Sequence, residues 1–386
     1  MKYRIKRQSS TPFDKVHEEC GVFGIALKEG STLSAAHSVY TALYTLQHRG
    51  QQTAGIASVD KGAFHLHKGP GLVPDVFGDK NLKTLTGPAA IGHVRYASGG
   101  DTATINAQPL VVTHASGSMA VCYNGRLVNS DELRRETENR GGIFQSSNSA
   151  EVIAYLLVRE RMRAGTIEDA VINAMQYMVG AYSVVLLTQG KLVAFRDPNG
   201  FRPLCIGEVD GSIMFASESC AFPVLGGHLI REVEPGEVVV ADLGAGTYRS
   251  VPSGIKARSS LCMFEFIYFS RADSVIDGAS VDLVRLEAGR CLARRNTVEA
   301  DCVIGVPDPL KMQKVKAFVM LKPGVPANEE TKAVLMAYIR KNVAKYALPY
   351  DIEFRAELPK TLVGKVAYRV LEEEELKKLS ETAQEQ

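Results

Sequence analysis

The sequence has no apolar run long enough to cross a bilayer and no excess of charge of one sign. None of its hydrophobic stretches reaches the ~18 residues that a membrane-spanning helix needs. Its 45 lysines and arginines against 43 aspartates and glutamates leave a formal net charge of +2. A balanced charge gives no reason to expect nucleic acid or an anionic membrane as the main partner. We therefore expect neither.

Paired cysteines and a secretory signal are also missing. The seven cysteines are scattered through 386 residues, and no two of them form a CxxC pair. An odd, dispersed set is typical of a reducing compartment, where most cysteines serve as small buried apolar residues. The N-terminus begins with basic residues but has no apolar segment of the signal-peptide type. These observations predict a cytoplasmic protein.

The length of the chain and the changes in residue pattern along it predict several domains. A polar leader comes first, and after it short strands, two consecutive amphipathic helices and further strands alternate. This order predicts an α+β domain with sheets packed between helices. A further segment and a compact α+β unit of different character follow. The predicted boundaries are 1–19 for the leader, then 20–250, 251–308 and 309–386.

Cys20 is the first candidate for chemistry because it begins an apolar strand, CGVFGIAL, directly after the leader. A buried structural cysteine is the simpler interpretation. If the leader were cleaved, Cys20 would carry a free α-amine beside its own thiol. An α-amine with a pKa of about 7.7–8 can act as a base near neutrality. Nucleophile and base would then belong to one residue, as in hydrolases with an N-terminal threonine.

Such a nucleophile needs donors for an oxyanion and a group that binds the substrate. Asn124 and Gly125, at the end of the strand MAVCYNG, offer a side-chain amide and a backbone N–H. Asn-Gly is equally a common hairpin turn. Arg95, in GHVRYAS, can bind a carboxylate through two parallel hydrogen bonds, or can be a surface residue at a strand end. Taken singly, each residue leaves both interpretations open.

The order of the motifs is more specific than any one of them. The chain contains, in this order, CGVFGI, LQHRGQQTAGI, GHVRYAS, NAQPL, YNGRLVN, DPNGFRPL, ASES and EPGEVV. This series resembles the class II glutamine amidotransferases, and among them the glutamine phosphoribosyl-pyrophosphate amidotransferases. FEFIYFSRADS and VEADCVIGVPD extend the resemblance to residue 308, which implies that residues 251–308 are the truncated start of an α/β phosphoribosyltransferase domain. It implies the αββα sandwich of the N-terminal-nucleophile hydrolases, L-glutamine as a substrate and a role in purine biosynthesis.

The resemblance also implies roles for individual residues. Cys20 would be the nucleophile, exposed by self-processing after Glu19, and Asn124 with Gly125 would form the oxyanion hole. Arg95 would bind the α-carboxylate of glutamine, and Arg49 would be a structural part of the site. The substrate-binding set that it implies is Arg49, Arg95, Tyr96 and Ser149.

Two positions depart from the family pattern, and one cluster ligand stands alone. Tyr123 stands where the family has a histidine before the oxyanion asparagine. Ser149 stands where the family has the aspartate that holds the amino group of the substrate, and a hydroxyl supplies no charge there. Cys262 matches one ligand of the iron–sulfur cluster found in one branch of the family, but the other three cysteines are absent. We therefore expect no cluster and no resident metal.

Beyond residue 308 the family pattern stops. A phosphoribosyl site would need an Asp-Asp pair for the ribose hydroxyls and a Gly-Thr-Thr loop for the 5′-phosphate, and the sequence has neither. We therefore expect no such site and no magnesium ion bound to it. Residues 303–386 instead resemble the C-terminal domain of acyl-CoA synthetases and other adenylate-forming ligases. Their adenylation lysine would be Lys365, in the loop PKTLVGK.

Three hypotheses follow from these observations. The first is a glutaminase, possessing the glutamine-hydrolysing half of an amidophosphoribosyltransferase without the synthase step and assembling as a homo-oligomer. The second is a non-catalytic chimeric or binding module. The third is a fragment of an adenylate-forming ligase that works with a separate large domain. The junction at residues 303–309 is compatible with natural recombination, with an engineered crossover and with a sequence-assembly join.

Overall fold

The computed structural model describes residues 20–96, 104–284, 297–308, 312–342 and 349–359, with the short stretches 370–371, 373–375 and 377–378. It divides into two compact units. The larger unit contains the described residues of the ranges 20–265 and 269–280, and the smaller contains 266–268 and the described residues from 281 onward. The predicted leader, 1–19, lies outside the described residues. None of the described helices is both long and apolar enough to span a membrane.

Two antiparallel sheets form the centre of the larger unit. Its strands are β1 (Gly21–Ala26), β2 (Thr53–Asp60), β3 (Ala63–Pro70), β4 (Ala89–Arg95), β5 (Leu110–His114), β6 (Gly117–Leu127), β7 (Gly180–Thr188), β8 (Lys191–Arg196), β9 (Cys205–Val209), β10 (Ser212–Ala216), β11 (His228–Glu232), β12 (Val238–Asp242) and β13 (Tyr248–Val251). The first sheet has the order β11-β9-β10-β1-β4-β2-β3, and the second has the order β13-β12-β8-β7-β6-β5. A two-stranded ribbon, β14 (Val275–Ile276) with β15 (Ala279–Ser280), follows them.

Helices cover the outer faces of both sheets. They are α1 (Ala35–Thr45), α2 (Val73–Val76), α3 (Asp79–Leu82), α4 (Ser130–Glu138), α5 (Ser149–Arg161) and α6 (Ile167–Met175). Helix α1 packs against β1 and β4 of the first sheet, whereas α5 and α6 pack against β6 and β12 of the second. The layers therefore run helix, sheet, sheet, helix. The predicted α+β class and αββα sandwich are confirmed.

Strand β1 shows why an unbroken apolar sequence forms this interior. Successive side chains of a strand point to opposite faces of the sheet. Phe23 and Ile25 accordingly join the core under the helices, while Val22 and Ala26 join the core between the two sheets. A strand that is buried on both faces needs apolar residues at every position rather than at alternate ones.

The two predicted consecutive helices are α5 and α6. Their starts are fixed by side-chain caps: Asn148 accepts a hydrogen bond from the backbone N–H of Ala150, and Thr166 accepts one from that of Asp169. Capping by these residue types stabilises a helix by about 1 kcal/mol. Both helices turn an apolar face onto the second sheet.

The smaller unit is built around a three-stranded sheet. Strands β16 (Val298–Asp308) and β17 (Met312–Leu321) pair antiparallel, and β17 pairs parallel with β18 (Asp351–Phe354). Helix α7 (Glu329–Asn342) contributes Leu335 and Ile339 to its core. The domain boundary predicted between residues 308 and 309 falls between two strands that pair with each other.

Candidate active site

Cys20 lies immediately before β1, at the end of a central strand of the first sheet, and is buried. Its backbone N–H donates a hydrogen bond to Oδ1 of Asn124, with the two atoms 3.3 Å apart. Asn124 belongs to β6 of the second sheet. This hydrogen bond therefore brings the predicted nucleophile and the predicted oxyanion residue together across the sandwich, although they are 104 positions apart.

The amide nitrogen of Asn124 is a buried donor for which the described residues supply no acceptor. The residue is 0% exposed, and within the described part of the chain Nδ2 has no hydrogen-bond partner. A buried donor left without an acceptor costs about 1–3 kcal/mol. Such a donor in a native structure calls for an explanation, for example an acceptor that a ligand supplies. The oxygen of a tetrahedral intermediate on Cys20 would be such an acceptor.

Gly125 lies inside β6, so the hairpin-turn interpretation of Asn124-Gly125 is wrong. The strand continues past it to Leu127 and pairs with β7 throughout, with Gly125 opposite Tyr182. The φ angle of Gly125 is +141°, a value that favours glycine. A Cβ atom at this position would lie 2.1 Å from the carbonyl oxygen of Ala181. Only glycine therefore fits at this position beside the predicted oxyanion hole.

Arg49 binds the nucleophile residue from the opposite side. It closes a short 3-10 turn, Gln47–Arg49, and is completely buried. Its Nε donates to the carbonyl oxygen of Cys20 at 3.0 Å. One terminal nitrogen lies 2.6 Å from a carboxylate oxygen of Glu218 and 2.9 Å from one of Glu265, and the other lies 3.0 Å from the second oxygen of Glu265. Burial lowers the pKa of Arg49, but the two carboxylates outweigh it and hold that pKa well above its ordinary value.

The two glutamates have further partners. Glu218 also accepts hydrogen bonds from His48 at 2.7 Å and from the hydroxyl of Ser274 at 2.7 Å. Burial raises the pKa of Glu218, but Arg49 and His48 outweigh it and hold that pKa far below its usual range. Glu265 begins a π-helical turn, Glu265–Phe269, and also accepts from Arg202 and Ser270. Glu265, which follows β13 in the chain, is thus bonded to Arg49, and Arg49 is bonded to the carbonyl oxygen of Cys20.

Sequence reasoning missed Glu218 and Glu265 as parts of the site. They lie 169 and 216 positions from Arg49, and no local pattern joins residues at that separation. One signal was available: Glu265 stands in the apolar run FEFIYF. A charged residue in such a run indicates a buried carboxylate, which needs a cationic partner.

Arg95 and Tyr96 lie at the same end of the first sheet as Cys20. Strands β1 and β4 pair with Gly21 opposite Val94, so Cys20 and Arg95 adjoin at the strand ends. Arg95 is half-buried, and Tyr96 is 40% exposed. The predicted carboxylate-binding arginine is therefore next to the predicted nucleophile, at the edge of the site.

The remaining predicted residues are Ser149, Lys365 and Cys262. Ser149 begins α5, and its hydroxyl oxygen lies 3.0 Å from that of Ser130; its role in binding substrate stays a prediction. Lys365 lies outside the described residues. Cys262 is half-buried, and its N–H donates to the carbonyl of Phe201. In the described part of the chain, no group of three or more His, Cys, Asp or Glu residues is placed to hold a metal ion.

Comparison with known proteins relates this chain to glutamine amidotransferases. The family model of the glutamine amidotransferase domain matches residues 93–223. The amidophosphoribosyltransferase of Methanocaldococcus jannaschii is 44% identical over 302 residues, covering 75% of this chain and 64% of that protein. That of Bacillus subtilis is 43% identical over 295 residues, covering 76% and 60%. The first three quarters of this chain are therefore homologous to amidophosphoribosyltransferases. The chain spans about three fifths of the length of these curated relatives.

Solved structures extend the relation to amidophosphoribosyltransferases. Glutamine phosphoribosylpyrophosphate amidotransferase from Bacillus subtilis, complexed with ADP and GMP, gives a TM-score of 0.66 at 42% identity and covers 75% of this chain and 61% of that one. The allosteric regulatory enzyme of purine biosynthesis gives 0.67 at 36% identity, covering 89% and 66%. The C-terminal part differs: the family model of the AMP-binding enzyme C-terminal domain matches residues 290–365.

Proposed function

We propose that the larger unit hydrolyses L-glutamine to glutamate and ammonia through a thioester on Cys20. The observation that supports this most directly is the contact between Cys20 and Asn124, whose buried Nδ2 has no acceptor among the described residues. A thiol nucleophile beside a preorganised donor is what amide hydrolysis requires. The relation to amidophosphoribosyltransferases supports glutamine as the amide.

Before the first turnover, water hydrolyses the Glu19–Cys20 peptide bond, which removes residues 1–19 and turns the backbone nitrogen of Cys20 into an α-amine. This amine takes the thiol proton, and the sulfur attacks the side-chain amide carbon of glutamine. The intermediate's oxyanion accepts hydrogen bonds from Nδ2 of Asn124 and the N–H of Gly125. When the carbon–nitrogen bond breaks, the leaving nitrogen takes the proton from the ammonium, and ammonia departs. Water then hydrolyses the thioester, which releases glutamate and restores the thiol.

Recognition of glutamine rests on fewer charges than in the family pattern. We propose that Arg95 binds the α-carboxylate and that Tyr96 borders the substrate. Ser149 offers only a hydroxyl to the α-ammonium group, and a neutral partner binds a charged group less tightly than a carboxylate does. The expected consequence is a high KM for glutamine. Replacing this residue, Ser149→Asp, is expected to lower KM with little change in kcat.

Two cysteine variants test the proposed function. Cys20→Ala is expected to abolish ammonia release from glutamine and labelling by a glutamine-like electrophile, because it removes the nucleophile. Cys262→Ala is the matched control and should leave both unchanged. The intact mass of the active protein should lack residues 1–19. Equal loss of activity in the two variants, or full activity of an unprocessed chain, would contradict the proposal.

We further propose that the ammonia reaches water and not phosphoribosyl pyrophosphate. Neither the Asp-Asp pair nor the Gly-Thr-Thr loop of a phosphoribosyl site occurs in the sequence. Positioning of reactants supplies effective molarities of about 10⁵ M or more, so without that site the purine-forming transfer should be absent rather than slow. The assay is glutamine-dependent pyrophosphate release in the presence of phosphoribosyl pyrophosphate and magnesium. Release above a no-enzyme control would show that another acceptor site exists.

The smaller unit supports a second, narrower proposal. Its match to the AMP-binding enzyme C-terminal domain supports the proposal that Lys365 is the counterpart of an adenylation lysine. The sequence has no loop of the TSGTTGxPK type, which the large domain of such ligases uses to bind phosphate. We therefore propose that this unit forms no acyl-adenylate alone. Carboxylate-dependent exchange of pyrophosphate into ATP should be absent, and its presence would favour the ligase hypothesis.

The remaining expectations belong to the same proposal. We propose that the protein acts in the cytoplasm as a homo-oligomer, without an iron–sulfur cluster, magnesium or another cofactor. Light scattering of the purified protein tests the oligomeric state, cell fractionation tests the location, and elemental analysis together with activity after chelation tests the cofactor. A monomer, or a loss of activity on chelation, would overturn the corresponding part.

A further inference from the structure

Strand β6, which carries Asn124 and Gly125, extends beyond the end of its neighbour β5. Strands β5 and β6 pair from His114 opposite Gly117 up to Leu110 opposite Val121. The next residue of β6 that faces this edge is Tyr123, immediately before Asn124. Its backbone N–H and carbonyl oxygen are buried, so they need partners that β5 does not supply.

The side chain of Gln108 takes the place of the missing strand. Its Oε1 accepts from the backbone N–H of Tyr123 at 2.7 Å, and its Nε2 donates to the carbonyl oxygen of Tyr123 at 3.3 Å. Gln108 is itself buried. One primary amide thus makes both bonds that a pairing residue in an antiparallel ladder makes.

His93 of β4 adds a third bond from the other sheet. Its Nε2 lies 3.1 Å from the carbonyl oxygen of Tyr123. A carbonyl only accepts, so Nε2 carries the proton. Burial lowers the pKa of His93 to about 3, so the ring stays neutral and this bond does not change between pH 5 and 9.

The loop that carries Gln108 is itself fixed against the first sheet. Lys68 donates from Nζ to the carbonyl of Ala107 at 2.6 Å. On β2, Gly55 lets the backbone approach closely, because a Cβ there would lie 2.2 Å from the carbonyl oxygen of Gln108. Contacts with the first sheet therefore fix the position of the Gln108 amide. That amide in turn bonds the backbone of Tyr123 in β6, a strand of the second sheet.

We propose that Gln108 and His93 are positioning residues for the oxyanion hole. They bind the carbonyl of the peptide group whose nitrogen belongs to Asn124, and thereby set where Nδ2 of Asn124 and the N–H of Gly125 point. This inference rests on the proposed glutaminase function for its kinetic consequence. Neither side chain touches the reacting atoms, so the expected effect is on turnover and not on glutamine binding.

The first test compares two glutamine variants of the processed protein. Gln108→Met keeps the length of the side chain but removes the amide, and kcat for ammonia release is expected to fall about ten- to a hundredfold while KM stays within about threefold. Gln189→Met is the matched control. It removes an amide that bonds the carbonyl of Gly62, and wild-type kinetics are expected. Wild-type kcat in Gln108→Met, or a loss confined to KM, would overturn the proposal.

A double-mutant cycle separates positioning from general damage. In an Asn124→Ala background, Gln108→Met should lower kcat by a smaller factor than it does in the wild type, because one of the two donors that it positions is already gone. A full, independent penalty in the double variant would contradict the inference. His93→Leu removes one of the three bonds and repeats the test, including the case in which Gln108→Met does not fold.

Hydrogen exchange gives a readout that does not depend on activity. The backbone N–H of Tyr123 should exchange faster in Gln108→Met than in wild type, whereas that of Ala120 in the paired part of β6 should not. Unchanged exchange at Tyr123 would overturn the positioning role even in an inactive protein. Absence of glutamine hydrolysis by the wild type, with the expected change in exchange, would instead overturn only the proposed function.

Discussion

Replacing Glu265 by glutamine would remove one carboxylate from the buried charges around Arg49. Glu265 is 0% exposed and accepts hydrogen bonds from both terminal nitrogens of Arg49, from Arg202 and from Ser270. The variant Glu265→Gln keeps the size of the side chain but places a neutral amide against two cations. Arg49 then retains Glu218 as its acidic partner in the described site.

The expected cost follows from this burial. Removing one partner of a buried ion pair typically destabilises a protein by about 3–5 kcal/mol, because the remaining charge stays in a medium of low polarity. With a urea m-value of about 3 kcal/mol/M, the unfolding midpoint of the larger unit should fall by about 1–2 M. The chain contains no tryptophan, so circular dichroism is the suitable signal for unfolding.

A neighbouring ion pair provides the control. Arg271 and Asp273 pair at 2.8 Å, but their side chains are 43% and 56% exposed. Exposed pairs contribute about 0–1 kcal/mol, so Asp273→Ala should barely move the midpoint. A Glu265→Gln midpoint within experimental error of wild type, or equal shifts in the two variants, would refute the view that Glu265 holds Arg49 and through it the carbonyl of Cys20.

Two further predictions concern backbone space and pH. Gly125→Ala keeps the backbone N–H but should displace it, because the added Cβ would lie 2.1 Å from the carbonyl oxygen of Ala181. Glutaminase turnover should then fall by up to about 10²- to 10³-fold, the usual cost of losing one oxyanion donor. Gly190→Ala, which has open space around it, should be neutral, and equal kcat values in the two variants would contradict the site. Burial raises the pKa of Glu168, but hydrogen bonds from Lys191 and Arg249 outweigh it and lower the pKa to about 2. That stabilisation is complete above the ordinary glutamate pKa of about 4.3 and is lost as the pH falls towards 2. Glu168→Gln should therefore flatten the loss of thermal stability between about pH 5 and pH 2, and an unchanged slope would disprove the contribution.

Sequence patterns predicted the elements that are determined by interactions between residues close together in the chain. Helices α5 and α6 were predicted from their apolar periodicity, and the structure adds the side-chain caps Asn148 and Thr166 at their starts. The Asn-Gly pair shows the limit of such rules. Its turn propensity is real, yet β6 continues through it because β7 pairs with it as far as Leu127 opposite Gly180. Pairing with a strand more than fifty positions away outweighed the preference of two residues.

Some residues of the candidate site were likewise predicted from the sequence, and others were not. The family resemblance implied that Cys20, Arg95, Asn124 and Gly125 share one site, and the structure brings them to the same end of the sandwich. The charges around Arg49 and the amide of Gln108 could not be placed from sequence, because their contacts join residues that only the folded sheets bring together.

The most direct test of the central claim is to trap the covalent intermediate. Processed protein mixed with glutamine and quenched in acid should carry a glutamyl thioester on the peptide that begins with Cys20, and Asn124→Ala should form it far more slowly. Ammonia release without any adduct on Cys20, or an adduct on Cys262 instead, would contradict the account.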